Sequence, residues 1–449
     1  MPATRTSREP TRRGWLYLLI VAAILTQGGL NLIRPVTTYK LVALGADSVL
    51  VGVVTAFYAL VPLATAVWLG RMSDRLPNLR PMVALGAVVL ALGTAGLALG
   101  DSFVVIALAS AVLGLGHLLF TIAGQAEIAR RSSPSEMDRG FGWFTAAFSV
   151  GQMIGPLIAG AILGTGLVTD TSQRLHDVNV ALWVGFGLTL AAAPLFLPWG
   201  KSRTTTQRTS PSPLTDTSSA SSSTGAEVSA SAEAPDNANA APQAPTEKPT
   251  ILRILRTRGV PSHMFASLSL LGMLDILTAF LPLVGEQVGV SPAAIGLLLA
   301  LRGAASIVSR LLLPWLSAHF SRRSLLLWSL YGAGVALAVP PLLLVAFPPA
   351  QGGEMTLLIC GLLMLLGGIF LGLGQPLTMT EVSTAVPPSW RGSALAVRLM
   401  GNRLGQVALP FLAGLFAAPL GPGAAIVMTS VFLLTSGIEK SVHGRNRSS

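Results

Sequence analysis

Residues 151–160 read GQMIGPLIAG, and residues 405–414 read GQVALPFLAG. The two stretches align without a gap: Gly-Gln first, Pro five residues after the Gly, Ala-Gly last. Their surroundings match in the same order. Glu127 and then Arg139-Gly140 precede the first stretch; Glu381 and then Arg391-Gly392 precede the second. Earlier still, Gly45 and Gly52 have counterparts in Gly289 and Gly296. Chance could give one such match. Three in one order indicate duplication, so the chain reads as two copies of one unit.

Composition says what that unit is. The chain has 449 residues, of which 51% are hydrophobic and only 11% charged, and its mean hydropathy is +0.66. Soluble domains carry about twice that charged fraction. A helix needs ~20 mostly apolar residues to cross the hydrocarbon layer. Twelve runs qualify: 15–36, 49–70, 81–100, 103–128, 142–164, 178–199, 263–285, 293–316, 324–347, 355–380, 393–418 and 421–438. The first begins like a secretory signal, with Arg5, Arg8, Arg12 and Arg13 before WLYLLIVAAIL. It runs on past the usual apolar length without an A-x-A site, so it reads as an uncleaved first span.

The connections orient the spans. With the N-terminus inside, the inner segments hold 23 of the 30 Lys and Arg residues. The outer loops hold two, Lys40 and Arg174, and five lie within spans: Arg34, Arg302, Arg310, Arg398 and Arg403. Such a bias places both termini in the cytoplasm. It also accounts for the +11 net charge without a nucleic-acid partner. The high Arg:Lys ratio suggests a bacterial source, and hence the plasma (inner) membrane. Between the sixth and seventh spans lies a Ser, Ala, Pro and Thr-rich segment. It has too little apolar surface to offset the entropy of ordering and reads as a disordered cytoplasmic linker. ILRILRTR, at 251–258, reads either as a short amphipathic surface helix or as the basic flank of the seventh span.

The expected fold is an all-α membrane protein: twelve transmembrane helices in two six-helix bundles, residues 1–200 and 259–449, joined by a linker at 201–258. Both copies begin inside, so their pseudo-two-fold axis runs along the membrane normal. The single cysteine, Cys360, and five scattered histidines offer neither an internal disulfide nor metal-ligand spacing. No nucleophile–base constellation and no phosphate-cradling Gly loop is visible. An enzyme is therefore the least favoured class. No cofactor is expected, and an ion gradient, most simply of protons, is the expected energy source.

Twelve spans, a parallel six-plus-six repeat and a central linker resemble the major facilitator superfamily. The stretch GRMSDRLPNLR at 70–80 strengthens the resemblance. That family's second-to-third-span motif is G-x-x-x-D-R-x-G-R-[RK]. Here Gly70, Asp74 and Arg75 match, Pro77 replaces the second Gly, and Arg80 is a single, shifted base. The resemblance implies a cytoplasmic gate at this loop, closed when the protein faces outward, with Glu127/Arg139 and Glu381/Arg391 as companion charge pairs. A bland alternative for these pairs is helix capping with flanking positive charge. Gly70 would admit a neighbouring helix, and Asp74 would pair with Arg75, Arg80 or a helix N-terminus. In the fifth span, Gly142, Gly151, Gly155-Pro156 and Gly160 resemble the G-x8-G-x3-G-P-x2-G-G of drug:proton antiporters. The only departure is Ala159. Gly405, Pro410 and Gly414 repeat part of the pattern in the eleventh span. The proline kinks the helix, and the glycines offer a flat face, expected to pack across the two halves. Ordinary small-residue packing is the alternative.

Charges inside a bilayer are costly and usually functional. The third, sixth, ninth and twelfth spans have none and read as peripheral. Polar side chains instead form stripes: Gln27, Asn31 and Arg34; His117, Thr121 and Gln125; Asp275 and Thr278; Arg398, Asn402 and Gln406 with Arg403. Asp275 is the only mid-membrane carboxylate. In a hairpin of the seventh and eighth spans, Asp275 and Arg302 both lie about 14 Å from the outer end. Two readings stand for Asp275: a proton carrier, or a static ion pair with Arg302. His117 is a second titratable candidate, or simply a satisfied core residue. Arg34 reads as a substrate contact or as a base reaching to the outer interface. Unlike many drug exporters of that branch, this chain has no acidic residue in its first span. Arg34, Arg302 and Arg403 suit an anionic or amphipathic cargo better. The leading expectation is a monomeric, proton-coupled exporter of a small organic compound working by alternating access. An importer or uniporter of a sugar or metabolite, and a non-transporting scaffold or sensor, are the alternatives.

Overall fold

The computed structural model describes residues 14–132, 134–164, 170–196, 250–348, 354–387 and 390–445. The central linker up to residue 249 lies outside them. In the first half the helices are α1 (Gly14–Ala43), α2 (Ser48–Arg75), α3 (Arg80–Leu99), α4 (Phe103–Arg131), α5 (Pro134–Leu163) and α6 (Thr171–Leu190). A short helix, α7 (Ile251–Arg256), precedes the second half. There follow α8 (Val260–Val288), α9 (Pro292–His319), α10 (Arg322–Ala346), α11 (Glu354–Thr384), α12 (Arg391–Leu420) and α13 (Gly423–Arg445). Twelve of these are long and apolar enough to cross a membrane. In lipid a spanning segment must satisfy its backbone internally, which is why such runs become helices.

Local chemistry sets the ends. The Asp47 carboxylate accepts from the Leu50 amide at 2.8 Å and starts α2. The hydroxyls of Ser102, Ser291 and Ser321 cap α4, α9 and α10 in the same way. Gly45 and Gly289 both have left-handed φ, 81° and 71°, a region open to Gly without steric cost. Each turns the chain after the first helix of its half, so these repeat positions have a structural reason.

The two halves pack alike. In the first, α1 lies on α5 and α6, α2 on α4, and α3 on α4 and α6. In the second, α8 lies on α12 and α13, α9 on α11, and α10 on α11 and α13. The seam between halves is made by α5 on α9, α12 on α2, and α1 beside α8. Helices α3, α6, α10 and α13 stay at the periphery. We call the side with the α2–α3 turn and Arg71, Arg75, Arg80, Arg322 and Arg323 the basic side.

Lys40 differs from expectation. It lies within α1 rather than in a loop, and it is fully buried. Its ammonium donates to the carbonyls of Leu97 (2.7 Å) and Ala98 (2.8 Å) and to Asn179 Oδ1 (3.0 Å). Those carbonyls end α3, where the helix dipole favours a cation. Helix α1 continues through Thr37, Thr38 and Tyr39 because neighbouring helices, not water, surround them.

Candidate functional site

The Asp275 carboxylate is buried on α8. Its Oδ1 lies 2.7 Å from Arg34 Nη1 of α1, and its Oδ2 accepts from Gln406 Nε2 of α12 at 2.8 Å. Gln406 Oε1 in turn accepts from Arg403 Nη1 at 2.9 Å. On the other flank, the Arg34 guanidinium stands 5.0 Å from the Tyr58 ring centroid on α2. The Tyr58 hydroxyl meets His117 Nδ1 of α4 at 2.5 Å. One polar chain therefore crosses both halves at mid-depth.

This arrangement corrects the expected Asp275–Arg302 pair. The hairpin argument treated α8 and α9 as close neighbours, yet α8 packs chiefly on α13 and α12 and also faces α1. Arg302 is 3% exposed, and its Nε and Nη1 have no hydrogen-bond partner. Arg34, in turn, does not reach to the surface: its partner is Asp275. The Gln27–Asn31–Arg34 stripe was the available signal for that partner. Tyr58 was missed, since a tyrosine in an apolar span carries no distinctive pattern.

The remaining polar positions divide. Asn31 Nδ2 donates to the Gln27 carbonyl of its own helix at 2.8 Å. Gln27 Nε2, His117 Nε2, Asn402 Oδ1 and Arg403 Nε are buried without hydrogen-bond partners. Arg398 donates to Gln375 Oε1 and Thr378 Oγ1, both at 3.1 Å, and Arg310 donates to Ser149 across the α5–α9 seam. Besides Arg34 and Arg403, which belong to the Asp275 chain, the guanidiniums of Arg302, Arg310 and Arg398 are also held in the interior.

The expected gate pairs are not as drawn from sequence. Asp74, Arg75 and Arg80 are exposed, and among the described residues no ion pair reaches Asp74. Nothing lies within 4 Å of a Cβ placed on Gly70, so no helix uses its small size. The loop is held instead by Arg130 of α4, which donates to the carbonyls of Ser73 and Leu76. Glu127 pairs with Arg131 one turn on, at 2.8 Å, leaving Arg139 exposed. Four residues apart on one helix is the shorter reach. Glu381 Oε2 lies 3.6 Å from His263 Nε2. The side chain of Arg391 lies outside the described residues.

The glycine motif splits in two. Gly151 and Gly155 press on Gln27, Gly28 and Asn31 of α1, within the same half. Gly160 meets Pro292 and Ala293 of α9, and a Cβ on Gly296 would collide with the Pro156 carbonyl. Only this second part crosses the seam. Gly142 faces open space. The other copy matches: Gly405 presses on Leu268 of α8, whereas Pro410 and Gly414 face Gly52, Ser48 and Val49 of α2. Away from the basic side, the Ala293 amide donates to the Gly164 carbonyl at 3.2 Å, and Arg174 pairs with Glu286. These contacts close the halves together on that side.

A family model described as Major Facilitator Superfamily matches residues 19–361 and 263–438. The chain belongs to the Major Facilitator Superfamily. Members of this superfamily are membrane transporters, not enzymes. Among curated superfamily relatives, the Tetracycline resistance protein, class B, of Escherichia coli is 33% identical over 154 residues, 32% of this chain and 36% of that protein. The Multidrug resistance protein MdtH of Proteus mirabilis is 28% identical over 184 residues, 41% of this chain and 43% of that protein. The chain thus spans less than half the length of these relatives. Solved superfamily structures share the fold. The nucleoside transporter NupG has a TM-score of 0.64 at 13% identity, covering 95% of this chain and 98% of that one. A D-xylose–proton symporter has a TM-score of 0.65 at 15% identity, covering 94% and 96%.

Proposed function

We propose that this protein is a secondary active transporter that exports a small organic compound, amphipathic or anionic, by alternating access coupled to protons. The Arg34–Asp275 ion pair carries the reading. It joins the first helix of one half to the first helix of the other, at the depth where a rocking motion must loosen contacts. A proton and the guanidinium compete for the same carboxylate oxygens, so separating the two helices and protonating the carboxylate are linked. The names of the relatives, tetracycline and multidrug resistance proteins, favour export. The excess of guanidiniums favours an anionic or amphipathic cargo.

In this reading the protein sits in a bacterial inner membrane with the basic side and both termini in the cytoplasm. The closed seam then faces outward, and the chain is inward-facing. Two bundles, 1–200 and 259–449, work as a monomer without nucleic acid, and the proton gradient replaces any cofactor. The test uses everted vesicles with an imposed pH gradient. Adding a transported compound should dissipate the gradient, and Asp275→Asn should abolish that response while leaving membrane insertion intact. Dissipation unchanged in Asp275→Asn would remove the proton-carrying role.

A further inference from the structure

Helix α7 stands at the basic side, four residues before α8 begins. Its Ile254 is 1% exposed and joins a small apolar cluster with Val260, Val382, Val386, Ala394 and Val397. The Arg253 guanidinium stands 4.8 Å from the Trp390 ring centroid. These contacts fasten α7 to the end of α11 and the start of α12. They do not cover it. Ile251 and Leu252 are 53% and 56% exposed. At about 100° per residue, Ile254, Ile251, Leu255 and Leu252 form one apolar arc; the protein buries Ile254 and partly covers Leu255, and leaves Ile251 and Leu252 open. Arg253, Arg256 and the following Arg258 are exposed beside it. Among the described residues no ion pair reaches Arg256 or Arg258.

We propose that α7 is an interfacial helix that binds anionic phospholipid. Ile251 and Leu252 enter the boundary between headgroups and acyl chains, and Arg256 and Arg258 engage headgroup phosphates. The position supports this choice over a protein partner. The helix lies where α8 and α12 leave the membrane, a basic rim beside uncovered apolar side chains is the mark of an interfacial helix, and bases so placed are drawn to an anionic surface. Because α7 is clamped to the ends of α11 and α12, bound lipid braces the basic-side mouth of the second half. Lipid binding at α7 requires neither the cargo nor proton coupling.

The full-length protein, with Cys360→Ala to remove its single thiol and a nitroxide on Leu252→Cys, is reconstituted in vesicles of phosphatidylcholine and phosphatidylglycerol. The nitroxide should collide more with oxygen than with a water-soluble nickel chelate; the reverse overturns the proposal. Melting in detergent gives a second measure. Phosphatidylglycerol should raise the wild-type melting temperature more than phosphatidylcholine does. In Arg256→Gln/Arg258→Gln that difference should fall by about half or more. Equal responses to the two lipids, or an undiminished difference in the variant, overturn the headgroup assignment.

Discussion

Arg34 and Asp275 lie in different halves, yet their side chains meet at 2.7 Å in the interior. Gln406 and Tyr58 hold the two ends of that pair in place. Removing one member of a buried pair leaves an uncompensated charge, at about 3–5 kcal/mol. Arg34→Gln should therefore lower the melting temperature strongly in detergent. The double variant Arg34→Gln/Asp275→Asn should recover most of the loss. If the double variant shows the sum of both single losses, the two residues are not energetically coupled.

The seam away from the basic side depends on bare backbone. Substituting Val at Gly52 or Gly296 drives a side chain into the carbonyls of Pro410 or Pro156. Overpacking of this kind costs about 1–3 kcal/mol. The expected outcome is a seam forced apart, seen as a longer spin-label distance between the α1–α2 and α8–α9 turns. An unchanged distance distribution would mean that the seam relaxes locally.

Arg174→Gln, or Glu286→Gln, should act in the same direction but more gently. The pair is partly exposed, with side chains 24% and 13% accessible, so water screens much of its attraction. Each variant should modestly lengthen the same spin-label distance between the α1–α2 and α8–α9 turns. The two together should do no more than either alone.

Lys40→Met should destabilise the first half. It removes donors from the Leu97 and Ala98 carbonyls and from Asn179, and buried acceptors left unmet cost about 1–3 kcal/mol each. Thermal melting should fall, while the folded fraction keeps its cargo affinity, because Lys40 lies outside the Arg34–Asp275 chain.

Much of the fold was legible because lipid imposes simple rules. Span length, the Gly45/Gly289 and Gly52/Gly296 correspondence and the Pro156/Pro410 repeat can all be read from spacing. The site was legible only in part. Gln27, Asn31 and Arg34 share a stripe, but a stripe says which face is polar, not which helix it meets. That meeting depends on how two separate bundles dock, and no local pattern encodes it. Glu127 is a different case: its partner, Arg131, lies one turn on along its own helix, a spacing that a local pattern does encode. Lys40 was misplaced because span limits drawn from apolarity stop where polar residues begin, even when other helices bury them.

The burial of Lys40 has a consequence for how the polypeptide is made. Its ammonium finds its partners at the end of α3, at Asp101 just beyond it and on α6, all of which are synthesised later. While the ribosome is still extending the chain, the first helix carries a charge at its far end with nowhere to place it. Most of its partners arrive with α3, and the last, Asn179, only with α6, so the far end of the first helix is fully satisfied only when the half is whole.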